Sequence, residues 1–193
     1  MQDTTPIIYT ETDFASRDLL HPYKDEMVKY YFEKLEQAEG EFSFFYTNSV
    51  IKTNILPRIN KVLKKSFKIN VIDINPNVYV QNNQYCSSYF HHHMYCEPGK
   101  GDASMVASLY LDPPEVGGEF QFMPRFIHPE THEDDLKEHT FKVEENKLYL
   151  FPSWCMHRPL PQEDETYRIC LTFDIYSFDR PLFLPGTPNC VMW

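Results

Sequence analysis

From about residue 69 the sequence reads as short extended segments broken by turn signals. "INVIDIN" runs up to Pro76, "NVYVQ" ends in the turn-like "NNQ", and "SSYFHHHMY" is closed by "EPGKGD". "MVASLYLDPP", "VGGEFQFMP", "KVEENKLYLFP" and "YRICLTFDIYSF" follow, the second with a double glycine ahead of an alternating strand. Short runs rich in β-branched and aromatic residues, punctuated by Gly, Pro and Asn, read as strands. Seven or eight of them imply a small sandwich or barrel. The aromatic content of 16%, with 13 Tyr and 15 Phe, suits sheet packing better than a helical bundle. The pattern does not carry the order of the strands.

The first third has a different period. In "HPYKDEMVKYYFEKLEQAEG" (21 to 40), Met27, Tyr30, Tyr31 and Leu35 fall on one side of a helix, with Gly40 as a stop. "SVIKTNILPRINKVLKKSFK" (49 to 68) repeats the spacing with Ile51, Ile55, Ile59 and Leu63, and Pro57 predicts a break or a late start. A chain of 193 residues can bury its own core as one domain. The expected division is a mostly helical support over 1–68, a β core over 69–178 and a C-terminal tail over 179–193. The fold class is therefore mainly β with N-terminal helices.

Charge narrows the function. The net charge of −10 argues against nucleic acid as the partner, because phosphate contacts need clustered Lys and Arg. The most basic run, "RINKVLKKSFK", reads as a solvated helix face. Five cysteines without a CxxC pair (Cys86, Cys96, Cys155, Cys170 and Cys190) suggest reduced thiols. With no apolar leader and no long apolar run, the expectation is a cytoplasmic protein with no membrane segment.

Two stretches carry chemistry. "FHHHMY" places three histidines in a row at His91, His92 and His93, and imidazole is the commonest metal ligand among side chains. Adjacent side chains on a strand point to opposite faces, so alternation groups His91 with His93 and sends His92 the other way. In "LYLFPSWCMHRPLPQEDETYRICLTF", His157 precedes a proline-rich turn and Arg168 opens the next apolar strand. A hairpin there would set His157 and Arg168 on one inner face. A guanidinium in an apolar strand is costly to bury unless paired, and its fork matches a carboxylate. The partner would be a protein Asp or Glu, such as Asp174, or an acidic small molecule. "HPETHEDDLKEH", with His128, His132 and His139 among acids, reads as a solvated flap.

The ordered set resembles the Fe(II)/2-oxoglutarate-dependent oxygenases, most closely their prolyl-4-hydroxylase-like branch and its short bacterial and viral relatives. The set comprises the 91–93 region, Tyr110-Leu111-Asp112, Gly117-Gly118-Glu119-Phe120, Leu148 to Pro152, His157 and Arg168, and spans residues 75 to 176. The resemblance implies a double-stranded β-helix (a cupin-like jelly roll) braced by helices. It implies Fe(II) held by three side chains, with positions left for 2-oxoglutarate and O2. Arg168 would pair with the distal carboxylate of 2-oxoglutarate, assisted by Thr172 and a tyrosine, with Tyr79, Tyr89 and Tyr110 as candidates. The implied activity is hydroxylation of a peptidyl or small-molecule substrate, peptidyl proline first among them, with specificity from the N-terminal region and the segment 124 to 142.

The family's usual His-x-Asp pair is not matched. The set His91, His93 and His157 follows alternation. Counting from Tyr89 in the family's Tyr-x-x-His spacing would choose His92 and put Met94 in the carboxylate place, where a thioether suits a hard ferrous ion poorly. Asp102 or Glu97, from the following loop, are further candidates for a completing carboxylate. A three-histidine cupin-type dioxygenase that uses no 2-oxoglutarate is a rival reading, as is a non-catalytic β-sandwich that binds a partner.

Overall fold

The computed structural model describes residues 9–38, 44–84, 89–93, 96–97, 101–123, 125–127, 134–136, 138–153 and 155–177. Strand β1 (Tyr9–Glu11) leads into helix α1 (Arg17–Leu20), a 3-10 turn and helix α2 (Lys24–Gln37). Helix α2 buries Met27 and Tyr31 and ends at Ala38, which turns extended before Gly40; Gly40 itself lies outside the described residues. After β2 (Phe44–Phe45), a second helical run extends over 49–67, with α3 (Leu56–Val62) at its centre.

Pro57 does not break that run, contrary to the sequence expectation. The backbone widens to π geometry over Ile51–Ile55, just ahead of the proline. A proline ring clashes with the carbonyl four residues earlier and has no N–H to give it, and a widened turn relieves both. Asn48 starts the helix by accepting from the Ile51 N–H at 2.9 Å. Lys68, at φ 59, ends it in the left-handed conformation, its N–H donating to the Leu63 carbonyl.

The strands that follow are β3 (Val71–Gln81), β4 (Cys96–Glu97), β5 (Gly101–Tyr110), β6 (Phe120–Met123), β7 (Arg125–Ile127) and β8 (Asp134–Leu136). After them come β9 (His139–Phe141), β10 (Leu148–Pro152), β11 (Met156–Pro159) and β12 (Arg168–Ser177). The large antiparallel sheet has the order β1-β10-β5-β12-β3-β2, with β4 added beside β5. A smaller sheet has the order β11-β6-β9, and β7 pairs with β8. Two strands of the large sheet thus come from the N-terminal third, which is less purely helical than its periodicity suggests. The acidic 128–141 stretch likewise contributes β8 and β9 rather than loop alone.

Pro76 sits inside β3 without interrupting it. Its carbonyl accepts from the Tyr46 N–H at 2.9 Å, so its missing N–H falls on the β2 side and subtracts nothing from the pairing with β12.

Strand β12 lies at the centre of the large sheet with every residue buried. Its pleat feeds two cores. Ile169, Leu171, Phe173 and Ile175 pack with Met27, Tyr31, Ile51, Ile55, Ile59 and Leu63 under the helices. Cys170 belongs to the other core, where Val106, Tyr110, Tyr149 and Phe151 of the large sheet meet Phe120 and Phe122 of the small one. Each fully buried aliphatic or Phe side chain contributes about 1.5–3 kcal/mol, so both faces stabilise the sandwich. Among the described residues no helix is long and apolar enough to cross a membrane.

Candidate metal and cosubstrate site

The segment 89–93 runs alongside β11 as an extra edge of the small sheet. His91 and His157 exchange both backbone hydrogen bonds, each 2.9 Å, and the His93 N–H donates to the Ser153 carbonyl at 2.9 Å. This pairing sets the register of the triple histidine. His92 is turned out to solvent, whereas His93 is buried. One ring nitrogen from each of His91, His93 and His157 lies within 4.8 Å of the others, a spacing that fits one shared ion. Phe120, Phe122 and Phe151 wall the His157 ring, with Phe120 stacked on it at 5.1 Å.

The tautomers follow from what each Nδ1 faces. His157 Nδ1 lies 2.8 Å from the Cys155 carbonyl and His91 Nδ1 lies 3.2 Å from the Tyr89 carbonyl. A carbonyl only accepts, so both Nδ1 atoms carry the proton and leave the lone pair on Nε2. His93 Nδ1 meets the Asp174 carboxylate at 2.7 Å, with the same consequence. Burial, reinforced by the neighbouring imidazoles, lowers the pKa of His91 to about 4 and that of His157 well below its ordinary value. Both are therefore neutral at pH 7, the state a metal ligand needs. The side chains of Glu97 and Asp102, the carboxylate candidates, lie outside the described residues; only the backbone pairing of β4 with β5 places them.

His157 and Arg168 are not the two arms of a hairpin. His157 is on β11 of the small sheet and Arg168 opens β12 of the large one, so the turn between them crosses the sandwich. On the site face, β12 presents Arg168, Cys170, Thr172 and Asp174. Their partners in register on β3 are Gln81, Tyr79, Asn77 and Asn75. On the other side Cys170 faces Tyr110 and Thr172 faces Ser108 of β5. Tyr79, Tyr110 and Thr172 therefore share the face of Arg168, whereas Tyr89 is 76% exposed. Burial raises the Tyr110 hydroxyl well above its usual pKa and the Cys170 thiol to about 12, so neither carries charge.

Arg168 is 3% exposed. Its Nη1 donates to the Gly118 carbonyl at 2.5 Å and its Nη2 to Gln81 Oε1. Both acceptors are neutral, and among the described residues no carboxylate pairs with it. Asp174, the protein partner the sequence suggested, is instead held by His93 and by Asn77 Nδ2 at 2.9 Å. A buried guanidinium without a counter-charge is unfavourable by several kcal/mol unless an anion arrives. Among the described residues, Thr172 Oγ1 is also buried with no hydrogen-bond partner. The glycine pair explains itself here. Gly118 has φ 66, and a Cβ on it would lie 2.3 Å from Pro114 Cγ and 3.1 Å from Arg168 Nη1, so only glycine lets the turn press against the guanidinium.

Gln81, Asn77, the Gly118 carbonyl and the Asp174–His93 contact were missed at the level of sequence. Alternation along "RICLTFD" does put Asp174 on the face of Arg168 and Thr172, which was the available signal. A second group, His21, Asp112 and Glu145, also converges. Its members are already taken up by ion pairs, His21 with Glu145 at 2.6 Å, Arg17 with Glu145 at 3.5 Å and Lys24 with Asp112. It ties the N-terminal helices to the strand ends.

Residues 76–174 match the family described as "Putative 2OG-Fe(II) oxygenase". No curated protein sequence matches the chain. Among solved structures, a Pseudomonas putida prolyl-4-hydroxylase is similar at 13% identity and TM-score 0.60, over 88% of this chain and 91% of that one. A viral collagen prolyl hydroxylase from Paramecium bursaria Chlorella virus-1, in its 2OG complex, is similar at 16% identity and TM-score 0.58, over 89% and 96%. The non-heme alpha ketoglutarate dependent epimerase SnoN is similar at 13% identity and TM-score 0.59, over 95% and 87%. These likenesses show the fold, the double-stranded β-helix of two antiparallel sheets.

Proposed function

The chain belongs to the 2OG-Fe(II) oxygenase family, and on that footing we propose that it is an Fe(II)- and 2-oxoglutarate-dependent hydroxylase of a peptidyl or small-molecule substrate. His91, His93 and His157 would hold the iron, each through Nε2. Arg168 would receive the distal carboxylate of 2-oxoglutarate, with Thr172 Oγ1 donating to it and Tyr110 and Tyr79 flanking. With both bound, the site would supply O2-dependent oxidation of a substrate C–H coupled to loss of CO2 from 2-oxoglutarate, giving succinate.

The protein's own contribution is to bind, orient and keep dry. Nδ1–H bonds to Tyr89 O, Asp174 and Cys155 O fix the three rings. The phenylalanine wall around His157 excludes water from one flank. Gly118 and Gln81 hold the Arg168 fork in place without neutralising it. The observation that carries the reading is this buried guanidinium, which has no carboxylate among the described residues and shares its strand face with the Thr172 hydroxyl, likewise without a partner among them. A three-histidine dioxygenase that takes no acidic cosubstrate has no use for it.

Anaerobic titration of the Fe(II)-loaded protein with 2-oxoglutarate tests the proposal. A saturable visible metal-to-ligand charge-transfer band is expected, together with loss of bound iron in His157→Ala. Iron binding without the band would reject the cosubstrate role, and a 2-oxoglutarate affinity unchanged in Arg168→Ala would reject the part given to Arg168. Succinate formed in step with a hydroxylated product, rather than an epimerised one, then identifies the reaction.

A further inference from the structure

The contact between His93 and Asp174 joins residues 81 positions apart and buries a carboxylate directly behind a metal-facing imidazole. Asp174 Oδ1 meets His93 Nδ1 at 2.7 Å, and Oδ2 accepts from Asn77 Nδ2 at 2.9 Å. Both oxygens are thus aimed by the fold. The acid stands on the central strand, flanked in register by Asn75 of β3 and Val106 of β5. Among the described residues, the Nδ1 atoms of the other two rings face backbone carbonyls, at Tyr89 and Cys155. The three histidines are therefore unequal, and one of them is backed by a carboxylate.

A carboxylate accepting from Nδ1–H fixes the ring and makes Nε2 a stronger donor, and removing such a partner typically lowers metal affinity by about 10- to 100-fold. Charge counting points the same way. Two positive charges on the ion and one on Arg168 are balanced by two on a dicarboxylate and one on Asp174. With three neutral imidazoles and no Asp174, the buried site would keep an uncompensated positive charge.

We propose that Asp174 is a positioning residue that supplies, through His93, the negative charge a carboxylate ligand would otherwise place on the metal. Asn77 holds it in line. The inference rests on His91, His93 and His157 being the ligands, and the test separates the two.

Binding of Mn(II) and Fe(II) to the apo protein is measured by calorimetry under anaerobic conditions for the parent, His157→Ala and Asp174→Asn. The expected result is one ion per chain in the parent, none in His157→Ala, and about 10- to 100-fold weaker binding in Asp174→Asn. The charge-transfer band of the Asp174→Asn Fe(II)–2-oxoglutarate complex should move to higher energy, because a poorer donor set leaves the iron less electron-rich. A merely structural role would lower the melting temperature and leave affinity and band alone. Parent-like affinity and band in Asp174→Asn would overturn the inference and leave the ligand assignment standing. Undiminished binding in His157→Ala would overturn the assignment itself. Should Asp174→Asn not fold, nitrogen-15 NMR of the parent loaded with Zn(II) decides. A His93 Nδ1 proton far downfield of those of His91 and His157 supports the proposal, and three alike refute it.

Discussion

Strand β12 shows two faces of one sheet used in opposite ways. Toward the helices it sends Ile169, Leu171, Phe173 and Ile175 into a hydrocarbon core. Toward the small sheet it sends Arg168, Cys170, Thr172 and Asp174, also buried and mostly polar. The first face is satisfied by packing alone. The second holds, among the described residues, a cation without an anion and a hydroxyl without a partner, an arrangement that costs stability. Both faces are buried; what differs is whether the buried groups already have what they need.

Arg168→Ala should break the contrast most sharply. Losing a buried charge partner is worth about 3–5 kcal/mol, so 2-oxoglutarate affinity should fall at least about 100-fold while the apo protein unfolds no earlier in urea. Equilibrium titration with denaturation of the same sample checks both halves. On the opposite face, Leu171→Ala should lower stability by about 2–5 kcal/mol and leave the affinity of the folded fraction unchanged. Equal effects of the two substitutions on both readouts would erase the distinction.

Acid should act on the site through its histidines. His91, held at about 4 by burial and the neighbouring imidazoles, refuses a proton that the unfolded chain accepts near 6.5. Its contribution is complete above about 6.5 and is lost as pH falls through the folded value, on the order of 3 kcal/mol by pH 4. Urea midpoints of the apo protein should therefore drop between pH 7 and pH 5, and less so in His157→Ala, which removes a second depressed ring. The smallest effect should come from Thr172→Val. Replacing an unpartnered buried hydroxyl should hold or raise apo stability by about 1 kcal/mol and weaken 2-oxoglutarate binding several-fold. A fall in both would mean the hydroxyl already has a protein partner.

Much of the β architecture was legible because alternation and turn residues are local signals. "RICLTFDIYS" reads as a buried strand, and pleating alone grouped His91 with His93. Local pattern erred where neighbours intervened. Pro57 is absorbed by a widened turn, Pro76 is tolerated because its lost donor faces the β2 side, and β1 and β2 are short pieces within a helical region. His157 and Arg168 looked like hairpin partners because they are close in sequence, yet they belong to different sheets.

The sequence by itself determined which groups are available and which strand face each occupies, since both follow from residue type and a period of two. Only the tertiary structure decided who meets whom. The pairings of His93 with Asp174, Arg168 with Gln81, and His91 with His157 span 81, 87 and 66 positions. Such contacts depend on strand order and on how two sheets face each other, which no local pattern encodes. The same physics assigned Asp174 to a histidine and gave Arg168 only neutral acceptors among the described residues.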